Sequence, residues 1–249
     1  MLVLLPPSET KRAGGETGSR LRLPELRYPE LTKQRRVVIA AARALAQDHD
    51  AAVAALRLGP KQHGEVAKNG VITRSATMPA VDRYTGVLYD ALDAASLAPA
   101  AREYLARHVV IHSAILGPVG ALDAIPDYRL SHDSRLPGLR LRAHWAEPVR
   151  RAVAADGMAA GLVIDARSEA YVALGAAPEH AHFLHVVTES ADGTRRALNH
   201  FNKHAKGAFV RALALDSACP ADVSDLIDWA ATRSIRLESG APGELLLFA

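Results

Sequence analysis

Cysteine is almost absent: Cys219 is the only one in 249 residues. A single thiol builds neither a disulfide framework nor a thiolate metal cage, so the sequence predicts a chain at home in a reducing cytoplasm. Long apolar runs are missing too. The N-terminal MLVLLPPSETK has no basic n-region, and its apolar stretch is far too short for a signal peptide or a membrane span. It reads as a first strand stopped by Pro6 and Pro7, which cannot continue a hydrogen-bonded ladder, and no membrane partner is predicted. Nor does one sign of charge dominate, since 30 Lys and Arg stand against 27 Asp and Glu. Bulk charge alone therefore predicts no polyanionic partner; what matters is whether cations cluster in space. Internal repeats, low-complexity tracts and interdomain linkers are also absent. We read residues 1–249 as one domain, long enough to bury a sizeable core.

Apolar β-branched runs predict strands at 108–116, 161–166, 181–189 and 243–248, besides the N-terminal one. Apolar spacing near 3.6 predicts helices at 30–48, 51–58, 62–69, 98–106, 142–155, 200–214 and 221–231, with Asp50 as cap of the second. Strands and helices alternate irregularly. The fold class expected is mixed α/β (α+β), a single compact domain with a mixed sheet flanked by helices.

Residues 199–211, NHFNKHAKGAFVR, hold His200, Lys203, His204, Lys206 and Arg211 without an acid; Asp192 is the last before them and Asp216 the first after. On a helix, Phe201, Ala205, Ala208, Phe209 and Ala212 fall on one side, and Asn199, His200, Lys203, His204, Lys206 and Arg211 fall opposite, with Gly207 among them. A solvated amphipathic face accounts for this pattern. So does an anion site, because no acid relieves the repulsion and a glycine lets a ligand approach bare backbone. On the second reading Phe201 and Phe209 anchor the helix while Lys203 and Gly207 floor the site.

Other segments offer polar groups at strand ends, where α/β proteins put ligands. In PPSETK (6–11), Ser8 and Lys11 can bind an anion and Glu9 can act as a base or pair with Lys11; an ordinary polar turn reads the same. In 82–93, Arg83, Tyr84 and Tyr89 can stack on a ring or lie in the core with satisfied hydroxyls. Residues 112–138 read as a long turn-rich loop carrying Tyr128 and Arg129. IDARSEAY (164–171) sends Asp165, Arg167, Ser168 and Tyr171 off a strand, with an N-cap at Ser168 as the plain alternative. HAHFLH (180–185) puts His180 and His182 on one strand face and His185 on the other, with no acid or cysteine to complete a set, so no metal and no cofactor is predicted. The 54–69 passage resembles a helix-hairpin-helix within 51–70, Gly59 and Lys61 forming the turn whose amides would grip phosphate; a helix-turn-helix corner is the alternative.

PPSETK, RYTGVLYDALD, SAILG…LDAIPDYRLS, IDARSEAY, NKHAKG with Arg211, and the terminal GELLLF stand in the order seen in the YaaA peroxide-stress family. The chain resembles that family along essentially its whole length, and most closely the branch carrying PPSEGK and RYTGVLY, as in actinobacterial members. The resemblance implies a cytosolic protein that limits damage from hydrogen peroxide and free iron. It also implies a helix-hairpin-helix element and a positively charged cleft that binds DNA without strong sequence preference. Two departures stand out. Thr10 replaces the glycine of PPSEGK, and Gly120 and Ala121 stand where the family reads Arg-Pro before the aspartate, here after Leu122 at Asp123.

Two functions remain open at this stage. One is a stress-protective DNA binder using Lys11, Arg83, Tyr84, Tyr128, Arg129, Arg167, Asn202, Lys203, Lys206, Gly207 and Arg211. The other is an enzyme acting on a small anionic or nucleotide substrate in the same cleft, with Ser8, Glu9, Lys11, Asp165, Ser168, Tyr171, Lys203 and Lys206 as candidate catalytic groups but in no recognised catalytic order. A lysine pair suits mutual lowering of pKa and nucleophilic or general-base work.

Overall fold

Four aliphatic residues, all buried, make strand β1 (Leu2–Leu5); an unbroken apolar run suits a strand covered on both faces. In the computed structural model, which describes residues 1–189, 195–197 and 201–249, the chain continues through helices α1 (Thr32–Leu45), α2 (His49–Ala55) and α3 (Val66–Val71). Strand β2 (Thr77–Pro79) and helices α4 (Ala80–Arg83), α5 (Val87–Leu92) and α6 (Pro99–His108) follow. Next come β3 (Val109–Ser113), β4 (Gly117–Gly120), β5 (Ala124–Pro126), α7 (Leu141–Ala160), β6 (Val163–Asp165) and α8 (Glu169–Val172). The last part holds β7 (His182–Glu189), β8 (Arg195–Ala197), α9 (Phe201–Asp216), α10 (Val223–Thr232), β9 (Leu237–Ser239) and β10 (Glu244–Phe248). Asn199, His200 and the side chain of Phe201 lie outside the described residues.

The main sheet runs in the order β4-β3-β1-β6-β7-β10-β9, with β8 on β7. Strands β3, β1, β6, β7 and β10 are mutually parallel, and β4, β8 and β9 add antiparallel edges. This is the mixed α/β domain expected. From β1 the chain builds outward to β3 on one side and later to β6 on the other, so the strand order reverses there. Such a reversal leaves a crevice beyond the carboxyl ends of the strands, and the segment leaving β1 at that point is PPSETK.

Three expectations need correction. Residues 112–138 are not one long loop: β4 pairs back on β3, with Ser113 opposite Gly117, and β5 pairs with β2. Pro118 fits because β4 is an edge strand. Gly117 (φ +66°) turns the chain, and a Cβ there would lie 2.9 Å from the Trp145 ring. Helix α2 is capped by Asp48, which accepts from Ala51 N at 3.0 Å, rather than by Asp50. The second arm of the 54–69 passage opens as a three-ten turn, Pro60–Glu65, and becomes α only at Val66, so a helix-hairpin-helix is not confirmed.

Helix α9 carries the cationic stretch. Phe209 is buried and meets Trp229 edge-on at 6.0 Å, as an anchor should. Gly207, however, faces protein: a Cβ there would lie 2.1 Å from the Leu88 carbonyl oxygen and 3.0 Å from Ala91 Cβ. The missing side chain lets α9 rest on the backbone of α5, which corrects its assignment as a ligand floor. Gly207→Ala should lower stability by about 2 kcal/mol or more, since a backbone clash has no rotamer to relieve it. The gain of about 1 kcal/mol in helix propensity is too small to compensate. Denaturant unfolding checks this, and a midpoint at or above that of the parent protein would return Gly207 to the open face.

Candidate functional site

A pocket of about 510 Å³ opens at the switch point, where the β1 exit loop, the start of α5, residues 131–132, the start of α8 and the first turns of α9 converge. Ser8, Glu9 and Thr10 form one wall and Thr85 to Leu88 another. Ser131 and His132 close a third side beside Ser168 and Tyr171, while α9 contributes Asn202, Lys203 and Lys206. Gly86 (φ +97°) turns into α5 with its open side toward Ser8 Oγ, 3.5 Å from where a Cβ would stand.

The β1 exit loop is shaped from behind. Lys11 donates to the carbonyls of Ser8 (3.0 Å) and Glu9 (3.1 Å), and its ammonium sits 4.1 Å from the centroid of the Tyr128 ring. Burial is the main cause that lowers its pKa to about 7. Arg129 pairs with Glu9 Oε2 at 2.8 Å. Tyr128 is itself held by the hydroxyls of Tyr84 (2.7 Å) and Ser113 (2.8 Å), and Tyr89 OH donates to Pro6 O at 2.7 Å. Thr10 Oγ1 accepts from Thr85 Oγ1 at 3.0 Å, joining two walls at the rim. The 54–69 passage is also bracing: Asn69 exchanges hydrogen bonds with the Arg129 backbone (2.7 and 2.9 Å), and Arg57 pairs with Asp133 at 3.0 Å. Gly59 caps the three-ten turn, its N–H donating to Gln62 Oε1 at 3.2 Å, and Lys61 is exposed beside it.

At the carboxyl end of β6 lies a buried ion pair. Arg167 grips both oxygens of Asp165, at 2.8 and 2.6 Å, and donates to His112 Nδ1 at 2.8 Å and Gly175 O at 2.9 Å. Because Nδ1 accepts, the proton of neutral His112 is on Nε2, which is buried without a partner among the described residues. Burial and then the Arg167 charge hold this imidazole well below the usual range. Ser168 sits at the N-cap of α8, yet its hydroxyl makes no capping bond. Burial raises the Tyr171 phenol.

Lys206 is the outlying group. It is only 5% exposed, lines the pocket, and has no hydrogen bond or ion pair among the described residues. Its ammonium lies 5.5 Å from the Phe183 ring centroid. Burial lowers its pKa to about 8, against a smaller opposing pull from Asp165. The sequence expectation of mutual depression by Lys203 is corrected: Lys203 is exposed at the mouth and burial is the cause. Nearby, Asn202 Oδ1 is buried without a partner among the described residues.

Several sequence candidates stand elsewhere. Arg83 is fully buried and donates to the carbonyls of Arg12, Gly14, Ala76 and Ile125, so it staples loops instead of reaching ligand. Arg211 donates to the carbonyls of Leu92 (2.9 Å) and Asp93 (2.8 Å) at the far end of α5. Tyr84, Tyr128, Arg129, Arg167 and Lys11 lie behind the pocket walls, whereas Ser8, Glu9, Ser168, Tyr171, Asn202, Lys203 and Lys206 are gathered around it. Ser131, His132 and Thr85 are pocket residues that sequence reasoning missed; for the first two the YRLSHD run that holds Arg129 was the available signal. His185 pairs with Glu244 at 3.4 Å, and no group of three or more His, Cys, Asp or Glu gathers among the described residues. Among those residues no helix is long and apolar enough to cross a membrane.

The profile of the family described as peroxide stress protein YaaA matches residues 1–232. The chain belongs to the peroxide stress protein YaaA family. It is similar to a UPF0246 protein of Corynebacterium efficiens, 45% identical over 219 residues that cover 86% of this chain and 85% of the relative. A UPF0246 protein of Corynebacterium glutamicum strain R is 39% identical over 243 residues, 96% of this chain and 95% of its own. Another from Streptomyces coelicolor is 39% identical over 253 residues, 98% and 94% of the two chains. Of the two departures from the YaaA pattern, Thr10 lines the pocket. Gly120 instead lines a separate open groove with Arg27, Arg107 and Asp123.

The Lys206 environment has a signed consequence for stability. An amine whose pKa falls from 10.5 to about 8 on folding binds fewer protons in the folded chain between those values. Its penalty is therefore complete below about pH 8 and fades as pH rises toward 10.5. Replacing it by an uncharged isostere, Lys206→Met, should stabilise the protein by ~1–3 kcal/mol at neutral pH and by little above pH ~11. Urea midpoints across that range test it, and a Lys206→Met protein less stable than the parent at pH 7 would refute it.

Proposed function

We propose that this member of the YaaA family works through a small-ligand site, as an enzyme on an anionic substrate of sugar-phosphate or nucleotide size. The observation that carries the reading is Lys206, an amine buried to 5% exposure without a partner among the described residues, opening onto a pocket of about 510 Å³. Burying an unpaired ammonium is costly. A protein keeps such a group where function uses it, as a base, a nucleophile or an anion contact in a low-dielectric site. Lys203 at the mouth attracts the anion, the hydroxyls of Ser8, Thr10, Thr85 and Ser168 offer hydrogen bonds, and His132 is a proton carrier beside them. Protection against hydrogen peroxide and free iron then runs through turnover at this site.

DNA binding through the same face is the second reading. Its support is the exposed Lys203 at the pocket mouth, with Lys61 exposed on the 54–69 turn. The dimensions favour the first reading, because a volume of about 510 Å³ takes one nucleotide-sized group and not a duplex. The test measures binding of inorganic pyrophosphate and AMP by calorimetry, and of duplex DNA by anisotropy over a salt series. For the small anions, Lys206→Met should weaken binding at least about tenfold, the effect expected on removing a buried charged contact. Duplex affinity should stay within twofold in the same variant. If neither anion binds, while Lys203→Ala with Lys206→Ala flattens the duplex salt slope by roughly one to two, DNA replaces the small ligand.

A further inference from the structure

We propose that Lys206 is an imine-forming nucleophile and that the pocket takes a phosphorylated aldehyde or ketone, an open-chain sugar phosphate being the class that fits its walls. This rests on the small-ligand reading above and adds the chemistry. A lysine that merely clamps an anion works best charged, hydrated and at the mouth, and Lys203 already occupies that position. Lys206 lies one helical turn deeper, against the Phe183 ring, with no hydrogen-bond acceptor among the described residues. The acid that would otherwise keep it protonated is engaged, since both Asp165 oxygens are held by Arg167 at 2.8 and 2.6 Å. Burial thus lowers the amine to about 8, and at pH 7.5 a sizeable share carries a free lone pair. Desolvated lysines of this kind attack carbonyl carbon.

The rest of the pocket suits the product of that attack. The hydroxyls of Ser8, Thr10, Thr85 and Ser168, with the Asn202 side chain, line the pocket and offer the hydrogen-bonding groups that a polyol chain needs. In the step itself the Lys206 lone pair forms the C–N bond as the carbonyl π pair moves to oxygen, which gains a proton as the nitrogen loses one. His132, which lines the same pocket, gives the proton that leaves with the hydroxyl as water and takes back the last N–H proton as C=N forms. One carbonyl and one amine give one imine and one water, and nothing is oxidised or reduced.

The probe is glycolaldehyde phosphate, small enough to enter whatever the natural chain length, trapped at pH 7.5 with sodium borohydride and located by peptide mass spectrometry. Lys206 should be labelled at least about tenfold faster than any other lysine, because its amine alone combines a large neutral fraction with a pocket for the phosphate. Labelling at that rate should vanish in Lys206→Arg, persist in Lys33→Arg, an exposed residue of α1 outside the pocket, and be competed by inorganic phosphate. Lys206→Met, expected to fold at least as well as the parent, serves where arginine disturbs the structure. Calorimetric binding of the probe without preferential labelling of Lys206 overturns the imine and leaves the anion pocket standing. Absence of binding by the probe, pyrophosphate and AMP overturns both.

Discussion

Helix α9 can lie against α5 because residue 207 has no side chain. With the Leu88 carbonyl oxygen 2.1 Å from where a Cβ would be, nothing larger than glycine fits without moving one helix. That contact fixes the pocket, since α5 begins with its 85–88 wall and α9 supplies Asn202, Lys203 and Lys206. The rotation of α9 about this point is then set twice more, by Phe209 against Trp229 and by Arg211 on the carbonyls that end α5. A helix held in three directions has one left for Lys206. The neighbouring residues of KHAKGAF thus divide between a packed seam, a core anchor and a pocket, instead of the two faces of a simple amphipathic helix.

Three buried or half-buried cations in this fold are satisfied by main-chain carbonyls. Arg35 collects those of Leu116, Arg27 and Pro118 at 2.6–2.8 Å, Arg83 gathers loop carbonyls around the β1 exit, and Lys11 curls that exit with two more. A buried charge is tolerable when hydrogen bonds replace its water shell, and each such cation fixes several loop backbones at once. Lys206 has no comparable set among the described residues. Similar side chains therefore divide by what surrounds them, and the division separates groups that build the site from the group that faces its contents.

That division is why sequence went only part of the way. The N-terminal strand, those at 161–166, 181–189 and 243–248, and the mixed sheet they build were legible, because runs such as VLL and LVI admit little else than covered strands. Ser8, Ser168, Lys203 and Lys206, which belong to separate motifs of the sequence, come together from three distant segments. Residue type could not tell a loop-holding arginine from a ligand-holding one: Arg83 and Arg211 offer the same five donors in either role. Turn residues misled at Gly117 and Pro118, where an edge strand uses both. Gly207 misled in another way, because close approach was correctly read from the absent side chain but the approaching body was α5.

The two departures from the family pattern carry different weight once the pocket is located. The missing arginine near Gly120 concerns a separate groove, where Asp123 accepts from Gly120 N and Arg27 N and turns β4 toward β5. The amide contacts there come from backbone N–H groups and need only the acid, which this chain keeps. Thr10 concerns the pocket itself. Its hydroxyl lies 3.2 Å from Ser8 Oγ and 3.0 Å from Thr85 Oγ1, so one substitution both ties the exit loop to the start of α5 and adds a hydrogen-bonding group at the rim. Glycine at that position supplies neither. The threonine thus adds a hydroxyl to the rim, while the deeper elements, Lys206 and the Asp165–Arg167 pair, make no hydrogen bond to residue 10. On the small-ligand reading proposed above, selection among related ligands and the chemistry done on them would be held by separate residues, so that the rim could change without disturbing the amine beneath it.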